Sequence, residues 1–248
     1  MLLGAGCVAL LSFVNSLRSN AICEALEVSY RGDTLGLLPE HILRESSMVE
    51  GRMPLGNPLA ELDTRHIEER LLQLPHLKRA AVYKTIDRKL VMEVEERRPI
   101  LRLIDAKGKS AWLDSEGTLM PLSAYRHLRL PVLSLPYALE EELLKKGKSV
   151  WNTEAEKHLQ ACYAYALLLD ESPFWRAQLQ HATLDGQGRL TAFPQVGGHS
   201  IHFGDVEALP EKLEALAMLY REGMNAERWN KYSSINLTFK DQIVCTKK

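Results

Sequence analysis

His199 and His202 stand three residues apart in "HSIH", a spacing that would serve a metal ion only if both side chains faced the same way. The surrounding pattern is that of a strand, where positions three apart point to opposite faces, so the pair cannot share an ion. A zinc-protease helix needs His-Glu-x-x-His, and "HIEER" at His66 lacks the second histidine. The triplets Gly108-Lys109-Ser110 and Gly147-Lys148-Ser149 end as a phosphate-cradling loop ends, but Leu103 and Glu142 stand where its first glycine belongs. Both triplets therefore read as turns. Glu93, Glu95 and Glu96 are close enough to suggest paired carboxylates, yet they are more simply the solvated face and end of a strand, and no GxSxG elbow is present. Cys7, Cys23, Cys162 and Cys245 are too widely spaced for a CxxC pair or a disulfide framework, and read as buried or incidental thiols. "GAG" before Cys7 does not make a lipobox, and Arg31-Gly32-Asp33 is a turn. These residues predict no enzyme, no metal, no cofactor and no small-molecule substrate.

The elements around them must then serve another purpose. With 248 residues there is room for two domains of about 100 residues or more after a terminal segment is set aside. A composition of 46% hydrophobic and 25% charged residues with a net charge of -1 excludes disorder and a basic nucleic-acid surface. Met1 to Leu17 carries no charge, at the lower limit of a spanning helix, and predicts contact with the lipid bilayer. Two readings stay open. One is a membrane anchor whose basic cytoplasmic tail lies upstream of Met1. The other is a cleaved signal peptide with Ser19-Asn20-Ala21 as the cleavage site. Either way the remainder is exported.

From Ala25 the periodicity changes in a definite order. "ALEVSY" reads as a strand, "PEHILRES" as a short helix opened by Pro39, and "GRMPLGNPLAEL" as an irregular connection. Asp63 or Thr64 caps a helix with an apolar stripe of Ile67, Leu71, Leu72 and Leu74, ended by Pro75. "LKRAAVYKTI" and "LVMEVEER" follow as strands around the turn Asp87-Arg88-Lys89. The order is β-α-α-β-β. In "KLVMEVEERRPILRL" the alternation then breaks at four charges and Pro99, which has no amide for a ladder and restricts Arg98, so Glu95, Arg98 and Pro99 mark an interdomain joint. Beyond it come strands joined by Gly108 and by Ser115-Glu116-Gly117, then "LPVLSL". A helix capped by Asn152 or Thr153 buries Leu159, Cys162, Tyr163, Ala166, Leu167 and Leu169. The hairpin "HATLDGQGRLTAFPQ", the strand "HSIHFG", a helix at Pro210 and the closing strands "SSINLTF" and "QIVCT", separated by Lys240-Asp241, complete the chain.

The segment from Leu62 to Leu103 resembles the end of the polypeptide-transport-associated (POTRA) domain in the bacterial division proteins FtsQ and DivIB. The residues that carry the likeness are Leu74, Pro75, Ala81, Val82, Lys84, Leu90, Val94, Glu95, Pro99 and Ile100. The turn proline usual in that motif is replaced by Ile86-Asp87-Arg88. Trp112, Asp114, Gly117, Leu119 and Leu122, then "LPVLSL" and "YSSINLTFKDQIVCTK", are similar to the second domain of that family. The resemblance implies an α+β chain. Residues 1-22 form a transmembrane or signal-anchor segment, 23-98 a POTRA domain with two helices on one face of a small sheet, and 99-248 a β-rich domain of antiparallel strands with two helices.

It further implies a non-enzymatic scaffold of the divisome, linking early and late division proteins in septum assembly. The location implied is the inner (cytoplasmic) membrane at the division septum, single-pass, with the bulk of the chain extracytoplasmic. FtsB- and FtsL-type membrane proteins are the implied partners, recruited by strand addition to the last strands. Carried over here, that surface comprises Tyr232, Ser233, Ser234, Ile235, Asn236, Leu237, Thr238, Phe239, Val244 and Thr246. Ser234, Asn236 and Thr238 share one face, and Ile235, Leu237 and Phe239 the other, which is also a core pattern. Aromatic residues that family members carry at positions aligning with Ser234 and Thr246 are missing, and Tyr232 and Trp229 are the substitutes nearest in sequence. The POTRA domain is expected to dock other division proteins, with Ala25 to Tyr30 as its exposed strand. A POTRA module of protein export, or a secreted enzyme or solute-binding protein with a cleaved signal peptide, stands as the alternative.

Overall fold

In a computed structural model, residues 21–49, 51–145, 156–223, 231–240 and 242–248 are described. They fall into two units. One comprises the residues up to Arg97 together with Ser123–His127, the other Arg98–Leu122 and Leu128–Lys248.

In the first unit, strand β1 (Ala25–Tyr30) is followed by helices α1 (Glu40–Ser46) and α2 (Thr64–Leu71) and strands β2 (Leu77–Lys84) and β3 (Lys89–Glu96). The sheet order is β1-β3-β2, with β1 parallel and β2 antiparallel to β3. Alternation in β3 explains its place at the centre. Leu90, Met92 and Val94 are buried with Leu43 of α1 and with Ile67 and Leu71 of α2, while Glu93 and Glu95 take the other face. The Asp63 side chain caps α2 by accepting from the His66 amide at 3.1 Å, whereas Leu72 of the expected stripe is 47% exposed, because the helix ends at Leu71. Ser123 joins this unit by donating its hydroxyl to the Leu37 carbonyl.

Glu96, at the end of β3, does more than end a solvated face. Its carboxylate accepts from the amides of Leu35, Gly36, Leu37 and Leu38 at 2.7 to 3.1 Å and from the Thr34 hydroxyl at 3.0 Å, which folds the loop after β1 onto the sheet. Glu93 pairs with Arg31 at 3.1 Å.

The second unit carries a nine-stranded sheet. Its strands are β4 (Pro99–Ile104), β5 (Ser110–Asp114), β6 (Leu119–Pro121), β7 (Val132–Ser134), β8 (His181–Leu184), β9 (Leu190–Phe193), β10 (Ser200–Gly204), β11 (Tyr232–Asn236) and β12 (Val244–Lys247). The order is β12-β11-β10-β9-β8-β7-β4-β5-β6. The expectation of an antiparallel sheet with two helices is corrected here. Pairs β4/β7, β7/β8 and β10/β11 are parallel, and among the described residues four α-helices belong to this unit: α3 (Glu141–Lys145), α4 (Glu156–Glu171), α5 (Pro173–Gln178) and α6 (Leu209–Met218). Parallel neighbours need crossovers, and α4, α5 and α6 lie on the crossovers from β7 to β8 and from β10 to β11. Leu159, Cys162, Ala166 and Leu169 of α4 are buried, as its apolar face predicts.

One hairpin loop recurs three times in this unit, in "DAKGK", "DSEGT" and "DGQGR". Asp105, Asp114 and Asp185 each accept from the amides two and four residues on, at 2.7 to 2.9 Å, and Gly108, Gly117 and Gly188 supply the positive φ. The first unit builds the same loop from poorer parts in "TIDRK". There the Thr85 hydroxyl replaces the carboxylate, accepting from the Lys89 amide, and Arg88 takes the left-handed position at φ 64°.

Candidate partner-docking edge

The residues expected to receive a partner strand divide between the interior and the edge of the sheet. β11 pairs in parallel with β10 and antiparallel with β12, so Tyr232, Ser233, Ser234, Ile235 and Asn236 belong to a strand with a neighbour on either side. Leu237 continues the pairing by donating its amide to the His202 carbonyl at 2.8 Å. That bond fixes the parity. Beyond the register shift between Tyr232 and Ser234, Ile235 and Leu237 turn their amides to β10, so Ser234 and Asn236 turn theirs to β12, opposite Thr246 and Val244. In β12 the backbone groups of Cys245 and the amide of Lys247 consequently face away from β11, at the open edge, while the Lys247 carbonyl accepts from the Ser233 hydroxyl at 3.4 Å.

Ile235 and Leu237 are 0% and 3% exposed, as the core pattern requires, but Phe239 is 54% exposed. The reason is a turn. Asn236 ends β11, and its side-chain oxygen accepts from the Thr238 amide at 2.9 Å and from the Thr238 hydroxyl at 2.7 Å, which takes Phe239 out of the strand's alternation. Gly204, at φ 70°, lets this turn approach: a Cβ there would meet Thr238 Cγ2 at 2.7 Å. Val244 and Thr246 are exposed, and Tyr232 and Cys245 are partly buried against the core of the unit. Burial pushes the Cys245 thiol up from its ordinary value, so it is a poor nucleophile. Trp229 and Asp241 lie outside the described residues.

At the sheet's other end β6 has three residues and finishes in Pro121, which gives no amide to a new strand. In the first unit β1 and β2 are the outer strands. Glu68 reaches from α2 to accept from the Val82 amide of β2 at 2.7 Å and so closes that edge at its middle, while β1 is the strand expected to receive a partner.

The joint residues are each tied down within their own unit. Glu95 pairs with Lys78 at 3.2 Å and Arg79 at 3.7 Å. Arg98 makes a two-pronged contact with Asp170 at 2.8 and 2.6 Å, and its carbonyl accepts from Ser115. The Arg98 hydrogen bond holds the Asp170 carboxyl below its ordinary value. Pro99 opens β4 opposite Asp114, where a strand tolerates proline. The sequence pointed to Arg98 as a residue restrained by proline and missed Asp170, which lies 72 residues away.

Among the described residues, the side chains first considered for chemistry stand apart. His199 is buried, with Nε2 3.0 Å from the Tyr220 hydroxyl, while His202 is held by Thr191 and Ser200. Among the described residues no cluster of histidine, cysteine, aspartate or glutamate suits a metal. Cys23, Cys162 and Cys245 are free thiols, and burial pushes Cys162 up to about 12. Gly147-Lys148-Ser149, the helix cap at Asn152 or Thr153, Cys7 and the apolar stretch 1–17 lie outside the described residues. Among those described, no helix is long and apolar enough to cross a membrane.

Two matches to known families follow the two units. Residues 40–95 match a POTRA-like domain, and residues 98–246, more than half of the chain, match the family described as FtsQ/DivIB, C-terminal related. Comparison with curated proteins returned no match. A POTRA-like unit followed by this second domain carries the name of a division protein: the chain belongs to the FtsQ/DivIB family.

Proposed function

We propose that the chain is a non-enzymatic, membrane-anchored scaffold of the bacterial divisome that recruits FtsB- and FtsL-type membrane proteins by strand addition at β12. The observation that carries this reading is an outer strand, Val244–Lys247, whose Cys245 backbone groups and Lys247 amide face outward, in a domain of the FtsQ/DivIB family. Main-chain pairing supplies affinity, and the exposed side chains of Val244 and Thr246, with Phe239 beyond β11, supply selectivity. Tyr232 to Leu237 back the edge strand rather than receive the partner. Residues 1–17 hold the protein at the inner membrane with its bulk extracytoplasmic, which raises its effective concentration toward other anchored proteins. The POTRA unit docks further division proteins through β1, and Glu95, Arg98 and Pro99 form the joint between the two binding units.

Proline substitution tests the edge. Cys245→Pro and Lys247→Pro each remove an amide that faces outward and leave the pairing with β11 in place. Co-purification of the FtsB- and FtsL-type partners is expected to fall at least tenfold for Cys245→Pro with the circular dichroism unchanged. Equal recovery from both variants and the parent would refute docking at β12. A mature chain beginning at Ile22 would refute the anchor.

A further inference from the structure

A second surface lies beside the edge strand. Helix α6 and the five-residue π-helical turn after it, Leu219–Gly223, lie across from residues 237–240, Gln242 and Ile243, and between them is a groove of about 1050 Å³. Single small-molecule sites occupy about 300–1,000 Å³, so this groove has room for several side chains of a partner. Its apolar residues include Ala215, Met218 and Leu219 on the helical side and Leu237, Phe239 and Ile243 opposite. Met218 is 50% exposed and Phe239 54% exposed, so two large apolar side chains meet water there.

The rim is one-sided in charge. Asp205, Glu207, Glu211, Glu214 and Glu222 line the groove against Lys212 and Lys240. Lys212 is committed to Asp205, at 2.8 Å to its carboxylate and 2.9 Å to its carbonyl. Four carboxylates then face one remaining lysine, and among the described residues none of the four is in an ion pair. Glu211 and Glu214 lie three residues apart on α6 and Glu222 in the turn after it, so carboxylates flank Met218 on the helical side of the groove.

We propose that this groove docks a cationic amphipathic helix of a partner protein, with apolar residues on one face and lysine or arginine flanking them. The proposal rests on the reading of the second unit as a docking scaffold, and adds to strand addition a separate contact of defined charge. An apolar floor takes anchors at i, i+3, i+4 and i+7, and an acidic rim selects basic flanks and rejects acidic ones. The same rim repels a second copy's acidic stripe, which keeps copies of this chain from pairing there.

The test uses the full chain in detergent and two synthetic 18-residue helices. Both carry leucine at the anchor positions, one with lysine flanks and one with glutamate flanks. Binding of the lysine peptide is expected to be at least tenfold tighter than that of the glutamate peptide, and to weaken as salt rises. Glu211→Lys with Glu214→Lys is expected to lower it about tenfold, since each reversal turns an attraction into a repulsion at the rim. Phe239→Ala is expected to weaken both peptides together. Cys245→Pro, which blocks the strand edge, is expected to leave lysine-peptide binding unchanged, so failure of the groove and failure of strand addition are read separately. Equal affinity for the two peptides, indifference to the double reversal, or a photo-crosslinker at Met218 that captures only residues 224–230 of the same chain would each overturn the proposal.

Discussion

Removing the Glu96 carboxylate should unfasten the first unit from the loop side. In Glu96→Ala the amides of Leu35, Leu37 and Leu38 lose their acceptor together, and Gly36 keeps only the Thr34 hydroxyl. Leu35 and Gly36 lie where water can replace it, but Leu37 and Leu38 are 0% and 6% exposed. Each buried amide left without a partner costs about 1–3 kcal/mol, so the two together cost about 2–6 kcal/mol, a large part of a small domain's stability. Glu96→Gln keeps one acceptor oxygen of the two and should cost about half as much. The full chain has two units, so a single unfolding midpoint does not isolate the effect. Amide hydrogen exchange does: residues 35–38 should lose protection first in Glu96→Ala, to a smaller degree in Glu96→Gln, and strands β8 to β12 should not change. The reasoning fails if Glu96→Ala leaves Leu37 and Leu38 protected, or lowers the urea stability of the first unit by less than about 0.5 kcal/mol.

Other substitutions test other parts of the framework. Arg88→Gly removes a non-glycine residue from φ 64° and should stabilise the first unit by about 0.5–1 kcal/mol in urea unfolding, even though it gives up the exposed Arg88–Glu24 pair. A loss of stability would show that Arg88 is not strained. Gly204→Ala combines a left-handed alanine with the 2.7 Å approach to Thr238, and should cost about 2 kcal/mol or more and raise exchange at Thr238 and Phe239. Asp170→Asn should cost about 1 kcal/mol at neutral pH, the low end for a charged pair because Arg98 is half-exposed. Its folded carboxyl sits below the unfolded value of about 3.9, so the contribution is present above that pH and lost as pH falls through the folded value. The gap between parent and variant in acid titrations should therefore close below about pH 4, and a gap that widens there would refute the assignment.

Local signals were enough to order the first unit. Asp63 caps, Pro75 follows the end of α2, and Leu90, Met92 and Val94 alternate, so the β-α-α-β-β order needed no long-range information. The second unit was legible element by element but not as a sheet. Nothing in "HSIHFG" or "SSINLTF" says that they pair in parallel, because that pairing is decided by the crossover between them and by Ile201 and Ile235 entering one core. That pairing decides which backbone groups are free, so the surface carried over from the family resemblance spread over both closing strands, whereas the open backbone edge belongs to β12. The glycines of the three hairpin loops were visible as turns. The aspartates that organise them were not, since their partners are amides rather than side chains.

The arrangement of edges bears on the docking proposal more strongly than any one side chain does. Two sheets have four outer strands, and an outer strand left open pairs with whatever offers a matching edge. Glu68 occupies the Val82 amide of β2, and Pro121 finishes the three-residue β6, so those two resist a partner. β12 is different in kind. Its outward positions alternate with exposed Val244 and Thr246, and Lys247 and Lys248 place positive charge at its end. Two copies of β12 brought edge to edge antiparallel would gain main-chain bonds, but the lysines make that pairing less favourable than pairing with a neutral or acidic strand. Selectivity against the protein itself, and availability to another chain, thus come from the same few residues. Replacing Lys247 and Lys248 by threonine should accordingly leave partner recovery intact and raise self-association in sedimentation. A double variant that stays monomeric would show that charge is not what keeps the edge open.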